Sequence, residues 1–223
     1  MSKKTKAVVV NHTFGYTLNF LENLRKRLPE NVVLIEDCCH VIINSSHELS
    51  KYVSKYSLCS FFSFNATKLL ASGEGGAIST NNEKFANKIS AFKIGDNLSN
   101  LSCSIALEQL KKLDYFLKKR KEIAELYISE FKNYLPSEFD YYSGIYFRFP
   151  ILVSKNAEFW YSKAISYRKG VDSLISMSLN VKAQVNAYNI LKDTVSLPIF
   201  PSLENFELEK IVSETHKLIR NAN

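Results

Sequence analysis

Glycine and proline are scarce in this chain, at 7 and 5 of 223 residues, which argues against long flexible loops and low-complexity linkers. The four cysteines, Cys38, Cys39, Cys59 and Cys103, include no CxxC pair. That spacing sets aside a zinc site, and it leaves them as small core residues in a reducing compartment. No apolar run is long enough to span a bilayer. Met1-Ser2-Lys3-Lys4 leads straight into the apolar stretch Ala7–Val10 with no secretory pattern, so a cytoplasmic location is expected. Charge is not lacking, since the formal net charge is +7. The lysines are dispersed, however. Their densest cluster, from Lys111-Lys112 to Lys118-Lys119-Arg120-Lys121, is interleaved with Leu113, Phe116, Leu117 and Ile123. That is the pattern of a solvated helix face, and no nucleic-acid partner is expected.

What is present is ordinary globular material, 46% hydrophobic and 23% charged, enough for one large domain or two modest ones. Ala7–Val10, Val32–Ile35, Leu58–Phe64 and Ala77–Ser79 read as short strands. Leu18, Leu21, Leu24 and Leu28 fall at helical spacing between the first two, with Thr17 as the expected N-cap and Pro29 near the end. Thr80-Asn81-Asn82-Glu83 fits a capping box opening a helix through Phe92. Beyond Gly95-Asp96-Asn97, one long helix is predicted to reach about Phe131, with a stripe from Leu101, Ile105 and Leu110 to Leu117, Ala124 and Ile128. Tyr146–Val153 then reads as a strand that Pro150 restricts to an edge or bulge, Ala157–Lys169 as a helix stopped by Gly170, and Asn205–Ile219 as a terminal helix. The order implies an α/β layer with a largely parallel sheet over residues 1–132 and a smaller α+β domain over 133–223.

In such sheets ligands bind beyond the carboxyl ends of the strands, where Asp37 and Ser63 both fall. The most informative stretch is Phe61-Phe62-Ser63-Phe64-Asn65-Ala66-Thr67-Lys68, followed by Gly73-Glu74-Gly75-Gly76. A lysine set between apolar elements is costly unless it is paired or neutralised, and a carbonyl cofactor neutralises it as a Schiff base. Taken singly, each residue has a plainer reading: Asp37 as a cap, His40 as a satisfied core histidine, Ser63 as a local cap, and Lys68 as a side chain that snorkels to water. Tyr141-Tyr142, Trp160 and Tyr161 read most simply as packing residues of the smaller domain. The order in which the polar residues follow their strands is what groups them.

That order resembles the DegT/DnrJ/EryC1/StrS sugar aminotransferase family. The stretches that carry the likeness are Asn11-His12-Thr13-Phe14-Gly15, Ile35-Glu36-Asp37-Cys38-Cys39-His40, Phe62 to Lys68 and Gly73 to Thr80. It continues through Asn97-Leu98-Ser99-Asn100-Leu101, Ala106 to Asp114 and Leu197 to Leu203, and so covers nearly the whole chain. The resemblance implies the fold type I architecture of the pyridoxal 5'-phosphate transferases, and a nucleotide-linked keto-sugar and an amino donor, glutamate, as substrates. By the same resemblance Lys68 is the residue that joins the cofactor and shuttles the proton, and Asp37 pairs with the pyridine nitrogen. His40 lies near the ring's phenolic oxygen, Ser63 holds the phosphate, and Asn97 reaches a partner's phosphate across a dimer interface.

Compared with the family pattern, the strands, the Gly-Thr phosphate turn and the stacking aromatic that precede His-x-x-Gly are not found here. The resemblance therefore implies a partial large-domain sheet with an open apolar edge. The partner it calls for is a second copy, or a chain supplying the N-terminal part. The alternative is a non-catalytic remnant or interaction protein that keeps the fold.

Overall fold

Two sheets organise the chain, each in its own unit. The structure, a computed structural model, describes residues 1–92, 98–137, 139–153, 165–169, 187–188 and 193–222. One unit comprises Met1–Leu117 and Ser143–Phe147; the other comprises Lys118–Tyr142 and Arg148–Asn223.

In the first unit, β1 (Ala7–Asn11), β2 (Val33–Asp37) and β3 (Cys59–Ser63) run parallel, and β4 (Gly76–Ser79) returns antiparallel along β3. The largely parallel sheet expected from the sequence is thus present. The register sets Asn11 beside Asp37 and Asp37 beside Phe61, so β1 and β2 finish together and β3 runs on past them to Ser63. Helix α1 (Leu21–Arg27) makes the first crossover. It stops before Pro29, whose ring disfavours helical backbone in the residue ahead of it. The Arg25 guanidinium then closes the end, donating to the carbonyls of Leu28, Pro29 and Val32. Leu28, Val32 and Leu34 form a buried cluster with Val8, Val10 and Leu24 packed against it. A second cluster gathers Cys38, Val41, Leu49, Leu69, Leu113, Leu117, Ile145 and Phe147. Each fully buried leucine there contributes roughly 1.5–3 kcal/mol.

The layer is apolar but incompletely covered. Strand β4 is exposed along its length, with Ile78 half out of the surface at 51%. Helix α2 (Glu83–Ala91) has no buried residue, and α3 (Asn100–Lys111) buries only Ser102. Leu101, Ile105, Leu107 and Leu110 of α3, Phe92 after α2 and Val9 of β1 all stand exposed.

In the second unit, β5 (Phe149–Leu152), β6 (Arg168–Lys169) and β7 (Thr194–Leu197) form an antiparallel sheet ordered β5-β7-β6. Pro150 sits on an edge strand, where its missing donor is tolerated. Helix α5 (Asn205–Ala222) ends the chain.

Several local expectations are corrected. The single long helix is two, α3 and α4 (Leu113–Glu130), because Lys112 leaves helical backbone at φ −97°, ψ 2°. Only the stripe of the second piece is buried. Thr17 does not cap α1: Phe20 stands at that position, and the Thr17 hydroxyl donates to the Ser143 carbonyl. Asn82, not Thr80, caps α2, while Thr80 bonds across to the Leu58 carbonyl. Tyr146 lies outside β5 with φ of 54°. Arg168 and Lys169 are strand rather than the end of a helix; residues 157–164 and Gly170 of that expected helix, with Trp160 and Tyr161, lie outside the described residues. Tyr141 is buried and bonds to the Pro150 carbonyl, as a packing residue does, whereas Tyr142 is 84% exposed.

Candidate active site

Strand alternation splits the acidic pair at the end of β2. Glu36 faces inward and is wholly buried; Asp37 faces the other way and is half-buried. Asp37 is held from both sides: the Asn11 amide donates to one oxygen at 2.6 Å, and the Cys39 backbone N–H donates to the other at 2.9 Å. Asn11 is itself steadied by the Thr13 hydroxyl at 3.0 Å. Asp37 therefore caps a turn two residues on, not a helix. A carboxylate accepts further donors on its remaining lone pairs, so it is oriented and still able to take a cationic N–H.

Glu36 is engaged elsewhere. Its carboxylate lies 3.0 Å from the buried His12 Nε2 and accepts from the Ser54 amide at 2.8 Å. Burial alone pushes the Glu36 carboxyl up, but the bonds from His12, Ser57 and Ser54 outweigh it and hold it below the usual range. His12, Glu36 and Cys38 bring three ligand-type atoms within 4.8 Å of one another. The chemistry disfavours a metal there. The Leu18 N–H donates to His12 Nδ1 at 3.2 Å, so Nε2 carries the proton of the neutral ring and donates to Glu36. A metal-bound histidine ordinarily donates from its second nitrogen, and here that nitrogen accepts.

The other sequence-predicted groups converge near the strand ends. Ser63 closes β3, with its hydroxyl loosely accepting from the Asn65 amide at 3.4 Å. The segment 64–75 folds back on itself through Phe64 N to Gly75 O and Ala66 N to Gly73 O, and Lys68 N bonds to Asn65 O. Gly73 and Gly75 turn it at φ of 92° and 104°, a region open to glycine and costly for other residues. Lys68 is half-buried, while Leu69 and Leu70 beside it are buried. A small cavity is lined by Cys39, Ile42, Phe62, Ser63 and Leu69 among others. Burial first, and then the bond to Asp37, push the Cys39 thiol up to about 11, with the Lys68 amine pulling the other way. Cys39 thus lies within electrostatic reach of both.

His40 is fixed by the Phe14 N–H, which donates to Nδ1 at 3.2 Å, so the neutral ring carries its proton on Nε2. Its flat face stacks on Phe147 at 4.2 Å and 16°. The site thus brings together Asp37, His40, Ser63 and Lys68 in one unit; Asn97 lies outside the described residues. Sequence reasoning missed Asn11, Cys39 and Phe147. Cys39 lies between the recognised Asp37 and His40, and Asn11 directly follows the strand expected over Ala7–Val10, so both carry a local signal. Phe147 carries none, because it is remote in sequence from His40 and Lys68, which it touches.

The donor set suits a phosphorylated pyridine aldehyde: an amine for the aldehyde, an anchored carboxylate for a ring N–H, and a strand-end hydroxyl for the phosphate.

Comparison with known proteins agrees with this chemistry. The model of the DegT/DnrJ/EryC1/StrS aminotransferase family matches residues 1–216. A UDP-4-amino-4,6-dideoxy-N-acetyl-beta-L-altrosamine transaminase of Campylobacter jejuni is 28% identical, over 87% of this chain and 60% of its own length. Among solved structures, Helicobacter pylori PseC, an aminotransferase involved in the biosynthesis of pseudaminic acid, superposes with a TM-score of 0.78 at 21% identity, covering 99% of this chain and 68% of its own. The putative sugar aminotransferase Spr1654 of Streptococcus pneumoniae, in its PLP form, gives 0.79 at 17% identity, covering 100% and 70%. The chain therefore spans about two thirds of the length of these proteins.

Proposed function

Because the chain belongs to the DegT/DnrJ/EryC1/StrS aminotransferase family, we propose that it is a pyridoxal 5'-phosphate-dependent aminotransferase, or the C-terminal part of one. Its substrate would be a nucleotide-linked keto-sugar with glutamate as amino donor, in the synthesis of amino sugars for cell-surface polysaccharide. Residues 1–132 would form the cofactor-binding part and 133–223 the smaller domain, apart from Ser143–Phe147, which belongs to the unit of β1 to β4. The convergence of Lys68, Asp37, His40 and Ser63 on one set of strand ends supports this reading.

The bound cofactor supplies an electron sink that makes a carbon-bound proton of the donor removable. Everything else falls to the chain. Lys68 Nζ would hold the cofactor, and its amine would carry the proton between the donor's α-carbon and the cofactor carbon. Asp37, oriented by Asn11 and the Cys39 amide, would keep the ring nitrogen protonated. His40, with its proton on Nε2, would lie by the phenolic oxygen as a donor, and the Ser63 hydroxyl would help hold the phosphate. Asn97 serves the phosphate of a partner copy.

The exposed apolar side chains of β4 and α3, with Phe92 after α2, call for a covering polypeptide, either a second copy or a chain supplying the remainder of the family fold. Incubating the protein with pyridoxal 5'-phosphate, reducing with borohydride and mapping the adduct by mass spectrometry tests the assignment. The wild type is expected to be modified at Lys68 above its other lysines. If it is not, alone or with a candidate partner chain, the protein is a non-catalytic member of the family.

A further inference from the structure

Phe147 stands far from the site in sequence and inside it in space. The segment Ser143–Phe147 belongs to the same unit as β1 to β4, separate from the residues that flank it on both sides. It is fastened to the turn after β1. The Ile145 N–H donates to the Gly15 carbonyl at 2.9 Å, and Tyr16 bridges to Gly144. Gly15 has φ of 91°, and a Cβ there would lie 2.8 Å from the Phe147 backbone nitrogen and 3.2 Å from the His40 carbonyl. The glycine is what lets this strap reach the strand ends.

The ring it delivers is 8% exposed and carries two polar groups of the site. The His40 imidazole stacks on it at 4.2 Å, and the Lys68 Nζ lies 5.2 Å from its centroid. An ammonium at that distance from an aromatic centroid is attracted by the ring quadrupole. An aliphatic side chain of equal volume offers no such attraction.

We propose that Phe147 is a positioning residue of this site, an aromatic platform that holds the Lys68 amine and the His40 ring in the arrangement from which they act. This rests on the proposed role of Lys68. The geometry predicts a dependence on the aromatic face and not only on bulk.

The test is trace acetylation of the full-length protein with acetic anhydride, reading the labelling of Lys68 against the exposed Lys84 by peptide mass spectrometry. Phe147→Leu and Phe147→Met keep apolar volume and lose the ring face. Both are expected to raise the relative labelling of Lys68 by about threefold or more, the range of a partly desolvated cation–π contact. Phe147→Tyr is expected to stay within about twofold of wild type. Circular dichroism confirms that each variant is folded, and Met serves if Leu is not. Unchanged labelling in a folded Leu or Met variant, or an equal rise in the Tyr variant, overturns the proposal. Borohydride trapping of wild type with pyridoxal 5'-phosphate is run in parallel. Loss of that adduct alone sinks the cofactor assignment, whereas the acetylation pattern judges Phe147 by itself.

Discussion

His12 and Glu36 are both wholly buried and lie 3.0 Å apart, joining the turn after β1 to the last residues of β2. This pair ties together the two strand ends that present Asn11 and Asp37, so the orientation of the site rests on an interior hydrogen bond.

The pair makes stability acid-sensitive. The Glu36 carboxyl is held below its usual value of 4.5 in the folded chain. The unfolded chain then binds more protons, and stability rises with pH. The contribution is fully present above about 4.5 and is lost as pH falls through the folded value. Urea denaturation of wild type and Glu36→Gln across pH 3–6 is expected to show the acid-side slope flattened in the variant. His12→Ala strands the carboxylate and is expected to cost about 3 kcal/mol at neutral pH. A loss below about 1 kcal/mol would show that the pair is not buried in solution.

Gly15→Ala places a methyl group against the Phe147 backbone at a left-handed φ. The expected cost is about 2 kcal/mol or more, read as a lower midpoint in chemical denaturation. Hydrogen exchange at the Ile145 amide should quicken at the same time, because its acceptor is the Gly15 carbonyl.

Asp37→Asn keeps the size of the side chain but removes its charge, and it sets an amide nitrogen against the Asn11 donor. A loss of about 1–2 kcal/mol in stability is expected, together with at least a tenfold fall in the borohydride-trapped adduct at Lys68. Asn11→Ala leaves the charge in place and should reduce trapping by less. The reverse order would remove Asp37 from the cofactor's ring nitrogen.

Cys39 titrates far above a free thiol, at about 11, because burial and Asp37 both oppose its thiolate. Alkylation by iodoacetamide, followed peptide by peptide, is expected to climb about tenfold per unit between pH 8 and 10. Cys38, buried and pushed to about 12, should react more slowly throughout. A plateau for Cys39 near pH 9 would show that burial and Asp37 together do not oppose its thiolate.

Sequence by itself determined the strands of the first unit, restricted Pro150 to an edge or a bulge, and singled out Asp37, His40, Ser63 and Lys68, which the fold brings into one unit. These signals are local: an apolar run, its end, and the polar residue that follows. It misplaced the caps at Thr17 and Thr80 because both hydroxyls bond to carbonyls remote in sequence, which no local pattern encodes. It ran α3 into α4 because the apolar periodicity continues through Lys112, where only the backbone breaks. Tertiary structure alone decided that Glu36 would pair with His12 while its neighbour Asp37 turned the other way, to the Asn11 amide and the Cys39 N–H. It alone also decided that Phe147 would come back to lie beneath Lys68. Contacts of that kind depend on which segments the folded chain brings together, and the close approach of the strap needs glycine at positions 15 and 144, where a Cβ would lie 2.8 Å from the Phe147 nitrogen and from the Tyr16 ring.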